Sequence, residues 1–298
     1  MIGRIFILCV VFLAGCVDYV DNSPATTPTV DPVVDVNACG VAGPPQTVVV
    51  TELMFVGATG NVTVGLDLDG RVSDRQDASS CRQADFVDAD GNTGIDNQFA
   101  RLLPALESVA GGDSVQAVVQ RTINSGNVLL MFDLQRVDDP VDDACVEVTV
   151  GRGIGQPVIG GDGFIEPSQT FDHSDDPDTF VPDATLSAGV LDAGPFDLSL
   201  PVVVDTFDVL VDIRDARLRA TIAEDGSMTG LIAGAISVPE FVASIETIDA
   251  SGDVLSLVST ALNNLADMGK DGDGVCRGLS ISLAFRATPA FFFEDPAP

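Results

Sequence analysis

The sequence predicts a mainly β chain of α+β character, built as an antiparallel β-sandwich-like domain decorated by a few helices. Three observations point there. Several segments alternate apolar and polar residues with period two, the mark of strands with one buried and one wet face. Stretches with a helical stripe are few. Strands and helices do not alternate regularly, which argues against a doubly wound parallel sheet.

In chain order, the apolar run over residues 48–56 reads as a strand. Val62, Val64, Leu66 and Leu68 then share one face, with Asn61, Thr63, Asp67 and Asp69 on the other. Asp96 is placed to cap a helix whose apolar positions Phe99, Leu102, Leu103, Leu106 and Val109 recur at helical spacing. Pro104 inside that stretch is expected to kink or split it. Asp113 and Gln116 have the spacing of a capping box before Val115, Val118, Val119 and Ile123, and Gly126 suits the helix exit. Residues 128–137 read as a strand. The stretch 152–184, rich in Gly, Asp and Pro, is either a long surface loop or a boundary between lobes.

Period two returns in Phe207, Val209, Val211 and Ile213, and again in Leu218, Ala220 and Ile222. Asp225-Gly226 then gives a hairpin signal. A helical region follows Pro239, with its clearer half running from an Asp253 cap through Val254, Leu257, Val258, Ala261, Leu262 and Leu265 to Gly269. Leu279, Ile281, Leu283 and Phe285 alternate with Ser280, Ser282 and Arg286 in a last strand. The helical stripes are read as facing the core.

Ahead of this body, Arg4 precedes an apolar run over residues 5–13 that ends in Leu13-Ala14-Gly15-Cys16. A basic start, a short apolar core and a small-residue site describe an export signal rather than a membrane span. The quartet resembles the lipobox of bacterial lipoproteins. The resemblance implies cleavage before Cys16, diacylglycerol on that cysteine, and attachment of the mature chain to a membrane by its N-terminal lipid. Val17-Asp18 follows, rather than Asp directly after the cysteine, which favours the outer membrane or cell surface of a Gram-negative bacterium. The domain plan is thus a signal over 1–15, a lipidated cysteine and flexible tether over 16–38, a single β-rich domain over 39–290, and a tail over 291–298. The tether is rich in Pro, Thr and Asp without periodicity, as a solvated spacer should be.

Charge and composition remove some functions. The formal net charge is −31, from 14 basic and 45 acidic residues. An excess of this size repels phosphate backbones, so nucleic acid is not expected as a partner. There is no Trp, and the single Tyr is Tyr19 in the tether, which weakens a sugar-stacking cleft. With Cys9 in the signal and Cys16 lipidated, Cys39, Cys81, Cys145 and Cys276 remain for two disulfides in any of three connectivities.

Two acidic loops suggest a hard cation. One runs over residues 85–97 with Asp85, Asp88, Asp90, Asn92 and Asp96, the other over 267–276 with Asp267, Asp271 and Asp273. Alternate-position oxygens on a Gly-bent backbone can converge as the oxygen shell of calcium requires. The loops resemble, in part, the DxDG loops of EF-hand, dockerin and thrombospondin type 3 sites. Thr93 stands at the EF-hand glycine position, and Phe99 where the closing Glu would fall. The expected cofactor is structural Ca2+, against the alternative of plain Asp-rich turns. The only histidine, His173, lies among Asp172, Asp175, Asp176 and Asp178 and reads as a solvated loop position. There is no GxSxG elbow, no HExxH, and no GxGxxG at Gly151-Arg152-Gly153-Ile154-Gly155.

The stretch from Cys81 through Asp85-Phe86, Asp90-Gly91 and Gly94-Ile95-Asp96-Asn97-Gln98, with the late Asp271-Gly272-Asp273-Gly274-Val275-Cys276, is similar to uncharacterised lipoproteins of myxobacteria. That resemblance implies no particular activity. The expectation is a lipid-anchored envelope protein with a structural, adhesive or binding role and no catalysis. The alternatives are a secreted carboxylate-based hydrolase acting on glycans, and a small-molecule binding module with an apolar pocket inside the sandwich.

Overall fold

A computed structural model of the chain describes residues 43–77, 80–109, 114–204, 207–246 and 253–293. The signal, the lipobox, Cys16, the tether and Cys39 lie outside the described residues. The elements begin with β1 (Gln46–Phe55), β2 (Ala58–Thr59), β3 (Val62–Thr63), β4 (Phe86–Val87) and β5 (Thr93–Ile95). A 3-10 turn (Gln98–Arg101), α1 (Leu103–Val109) and α2 (Val115–Asn124) follow. Next come β6 (Leu129–Gln135), β7 (Asp143–Ile154), β8 (Gln169–His173), β9 (Thr179–Ser187), β10 (Val190–Val204), β11 (Phe207–Ile222) and β12 (Met228–Ser237). The last are α3 (Val238–Glu246), α4 (Asp253–Leu265), β13 (Met268–Lys270) and β14 (Cys276–Phe292).

The chain is mainly β, as expected, but the sandwich is replaced by a closed barrel. Eight strands pair antiparallel around a ring, β1–β6–β7–β9–β10–β11–β12–β14, and β14 pairs back onto β1. Two sheets packed face to face would leave four edges, whereas closure leaves none. Bulges supply the curvature: the register shifts in β1 near Val50 and Glu52, in β10 after Ala193, and in β11 after Arg214. The two segments read separately at 207–213 and 217–222 are one bent strand, β11, and Asp225-Gly226 closes its hairpin to β12. The 152–184 stretch holds the end of β7, all of β8 and the start of β9. β8 pairs antiparallel with β7 and parallel with β14.

Apolar side chains fill the barrel. Phe132 and Phe285 are buried, with ring centroids 5.5 Å apart. Each fully buried side chain of this size contributes roughly 1.5–3 kcal/mol. One mouth is plugged by α2, where Val119 and Ile123 meet Leu53, Phe55, Leu200 and Leu283 and leave a gap of only about 20 Å3. Outward positions of β10 and β11 carry Asp192, Asp197, Asp212, Arg214 and Arg219. A membrane-spanning barrel needs the reverse pattern, since a charge on its lipid face costs roughly 2–4 kcal/mol at midplane for Arg. No helix among the described residues is long and apolar enough to cross a membrane.

The two ends of the barrel differ. At one end lie the short links β6–β7, β9–β10 and β11–β12, together with the start of β1 and the finish of β14. The other end carries the insertion between β1 and β6, and α3 and α4 between β12 and β14; the β7–β9 connection leaves β7 there, and its β8 reaches the last residues of β14. The insertion forms a small sheet in the order β2-β3-β4-β5. It covers the outer face of β14, where Gln98 N–H donates to Ser280 Oγ at 2.8 Å. Ser280 and Ser282, read as a wet face, are therefore buried.

Local readings shift where this insertion packs. Val62 and Val64 are exposed at 40% and 48%, while Thr63 between them is buried at 4%. The threonine earns the inner place by bonding: its Oγ1 donates to Gly57 O and accepts from Asn97 Nδ2. Pro104 divides the predicted helix by standing in the first turn of α1, where a missing N–H costs little. Ser114, not Asp113, caps α2, its Oγ accepting from Ala117 N–H, and Gln116 instead donates to Leu53 O. Asp113 is outside the described residues.

Candidate cation site

The two acidic loops do not each close on a cation. In the first, Asp88 Oδ1 accepts from the N–H groups of Asp90 and Asn92, and its Oδ2 accepts from Asn92 Nδ2 at 2.7 Å. The carboxylate is spent on its own turn, and the Asn92 bonds hold its pKa below the usual value. In the second, Asp271 Oδ1 accepts from Asp273 and Val275 N–H, and Oδ2 pairs with Arg277 Nε at 2.7 Å. Asp271 thereby forms the tight turn between β13 and β14, and the Val275 bond lowers its pKa first. Asp90 and Asp273 are exposed turn residues.

What converges comes from both loops and from a third segment. Carboxylate oxygens of Asp67, Asp69 and Asp96 all lie within 4.8 Å of one another. Each commits one oxygen to a backbone N–H. Asp67 Oδ1 accepts from Gly70 and Arg71, Asp69 Oδ1 from Arg71, and Asp96 Oδ2 from Leu68 at 2.7 Å. Asp96 therefore does not cap the following helix. Its carboxyl locks the 67–71 turn onto β5, beside the Leu66–Asp96 bridge. The three carboxylates together offer an oxygen cluster to a cation.

Electrostatics reflects this crowding. Asp96 is only 3% exposed. Burial first, then the charges of Asp267, Asp85 and Asp69, push its carboxyl up to about 8 against the pull of Leu68 N–H. Asp267 is pushed up to about 7 by burial, although Ser280 O–H and N–H both donate to it. Asp85 is raised too, by burial and by Asp69 and Asp67, while accepting from Ser73 N–H. Asp85, Asp96 and Asp267, named from separate loops, thus belong to one electrostatic group. The structure adds Asp67 and Asp69. Asp67-Leu68-Asp69-Gly70 is itself a DxDG spacing, but its leucines continue the apolar alternation of a strand and disguise it.

The donor set fits a hard cation: all-oxygen, carboxylate-rich, and bent by glycine. Gly94 sits at φ +82, and a Cβ there would meet Arg71 O at 2.7 Å and Asp67 Oδ2 at 3.3 Å. Only glycine lets these oxygens close over the site. The Cys81–Cys276 disulfide, with Cα atoms 5.9 Å apart, ties the insertion to the start of β14 beside these acids. Cys145 is also in a disulfide.

His173 does not face this group. Its Nε2 lies 3.0 Å from Asp178 Oδ2 and its Nδ1 meets Ser174 O at 2.8 Å, so neither ring nitrogen is left for a nucleophile. Asp176 pairs with Arg152 at 2.6 Å. Comparisons with protein-family models, curated proteins and solved structures find no match to this chain.

Proposed function

We propose that the protein is a non-catalytic envelope lipoprotein, held by an acyl chain on Cys16, whose barrel presents its loop-bearing end for structural, adhesive or binding work. In this reading Asp67, Asp69 and Asp96 hold a calcium ion that braces the presented end. The observation that carries it is the polarity of the barrel. The chain enters β1 at the plain end, and the helices, the insertion and the acid group belong to the opposite connections. The buried apolar side chains inside the barrel, with a gap of only about 20 Å3 beneath α2, support a display role.

A carboxylate hydrolase draws support from one observation, the raised pKa values of Asp96 and Asp267. Against it, Asp96 is 3% exposed and both oxygens of Asp267 are taken by Ser280. An acid so placed has no route to a glycosidic oxygen.

Detergent phase separation tests the anchor. The full chain expressed in a Gram-negative host should enter the detergent phase, and Cys16→Ser should leave it aqueous. An intact Met1 by mass spectrometry would end this reading.

A further inference from the structure

Beside the acid group, and sharing Asp69 with it, the barrel wall holds a cavity of about 460 Å3 lined by the apolar Leu68, Pro195 and Met268 and by three arginines, Arg214, Arg217 and Arg277. That concentration of guanidinium groups stands out in a chain with 14 basic and 45 acidic residues. Two acids, Asp69 and Asp215, also line it.

The arginines are gathered by a built distortion. Residues three apart on a regular strand point to opposite faces. Arg214 pairs with Ala235 and Arg217 with Ala233, so three steps on β11 match two on β12, and one extra residue is inserted. The bulge turns both arginines outward. It holds Asp215 at φ +50, a conformation side-chain-bearing residues seldom adopt. It also leans over Gly234, where a Cβ would meet Ile213 Cγ2 at 2.6 Å and Arg214 O at 2.8 Å. A second bulge in β10 faces it at Gly194-Pro195, which places Pro195 in the lining where no ladder N–H is needed.

The charges are arranged unequally. Arg214 is held by Asp197 at 3.1 Å and Glu240 at 3.6 Å, and Arg277 by Asp271 at 2.7 Å. None of those acids lines the cavity. Arg217 is exposed and makes no ion pair among the described residues. A guanidinium fork of this kind matches a carboxylate or phosphate through two parallel bonds.

We propose that this cavity binds a small organic anion, its oxyanion group docked on Arg217 and its apolar body resting on Leu68, Pro195 and Met268. The size agrees with ordinary small-molecule sites of about 300–1,000 Å3. The site stands whether or not the neighbouring carboxylates hold a cation.

Calorimetric or NMR titration of the full chain at low ionic strength tests this, with benzoate and phenyl phosphate as probes and benzyl alcohol as the neutral control. At least one anion should bind saturably, and the alcohol should not. Arg217→Ala should weaken that binding at least about tenfold, Arg217→Lys less, and Arg219→Ala, on the same strand but paired with Asp192, should leave it unchanged. Thermal midpoints of the three variants within about 2 °C of the parent would show that the fold is kept. Absence of saturable binding by both anions, equal binding of benzyl alcohol, or binding indifferent to Arg217→Ala would each overturn the proposal.

Discussion

Asp88 and Asp96 lie eight positions apart in one acidic loop, yet they have opposite ionisation. Asp88 lies on a surface turn that takes up its oxygens, so its charge is favoured. Asp96 is carried under the outer face of β14 and set beside Asp67 and Asp69, so its charge is resisted. Alternate-position spacing from Asp88 through Asp90 and Asn92 to Asp96 makes the two look alike. Convergence of segments distant in sequence separates them, because burial and neighbouring charge act through space.

The sharpest way to break this contrast is to release the segment that creates it. The Cys81–Cys276 bridge spans 195 positions, and a loop of that length corresponds to about 5 kcal/mol in the chain-entropy account. Cys81→Ala with Cys276→Ala should therefore lower the melting midpoint more than any carboxylate change, with loss of any calcium response.

Next in size is the pH dependence. Between the ordinary Asp value and about 8, folded Asp96 keeps a proton that the unfolded chain releases. Unfolding then releases protons, and stability must fall as pH rises from about 4 to about 8. Asp267, pushed to about 7, acts in the same direction. Asp88 and Asp271, with lowered values, act oppositely and lose their contribution only as pH drops below about 4. Thermal melts in chelator from pH 5 to pH 8 should show a declining midpoint, and Asp96→Asn should flatten that decline. A midpoint that rises over this range would contradict the buried-acid picture.

Calcium gives a smaller effect. Extracellular sites have a Kd of about 0.1–1 mM, so 1 mM calcium adds roughly 0.4–1.4 kcal/mol by mass action. For a domain of this size that is about 1–5 °C at the midpoint. Asp96→Asn or Asp69→Asn should abolish the shift at pH 8. The least effect belongs to Asp88→Asn, which should leave the calcium response whole; a response lost there instead would move the site back to the local loop.

Much of the fold could be read directly. Val211, Ile213, Leu218 and Ala220 were placed inward by period two, and they are buried. The hairpin at Asp225-Gly226 followed from turn chemistry. Period two misleads where tertiary packing covers a face, as at the buried Ser280 and Ser282. It misleads also where a polar residue finds internal partners, as Thr63 does while Val62 and Val64 stay outside. Of the site, Asp85, Asp96 and Asp267 were legible as acids near glycines, but Asp67 and Asp69 were hidden by alternating leucines.

The sequence alone determined the β character, the strand phases with one apolar face, the cysteines available for bridging, and the large negative net charge. Those properties are local or additive, and each residue carries its share wherever it ends up. Closure of the ring, the meeting of β14 with β1, the choice of Cys276 for Cys81, and the grouping of five aspartates required the folded chain. They depend on distances between segments up to about 240 residues apart, as Val48 and Pro289 are, and only packing fixes those distances.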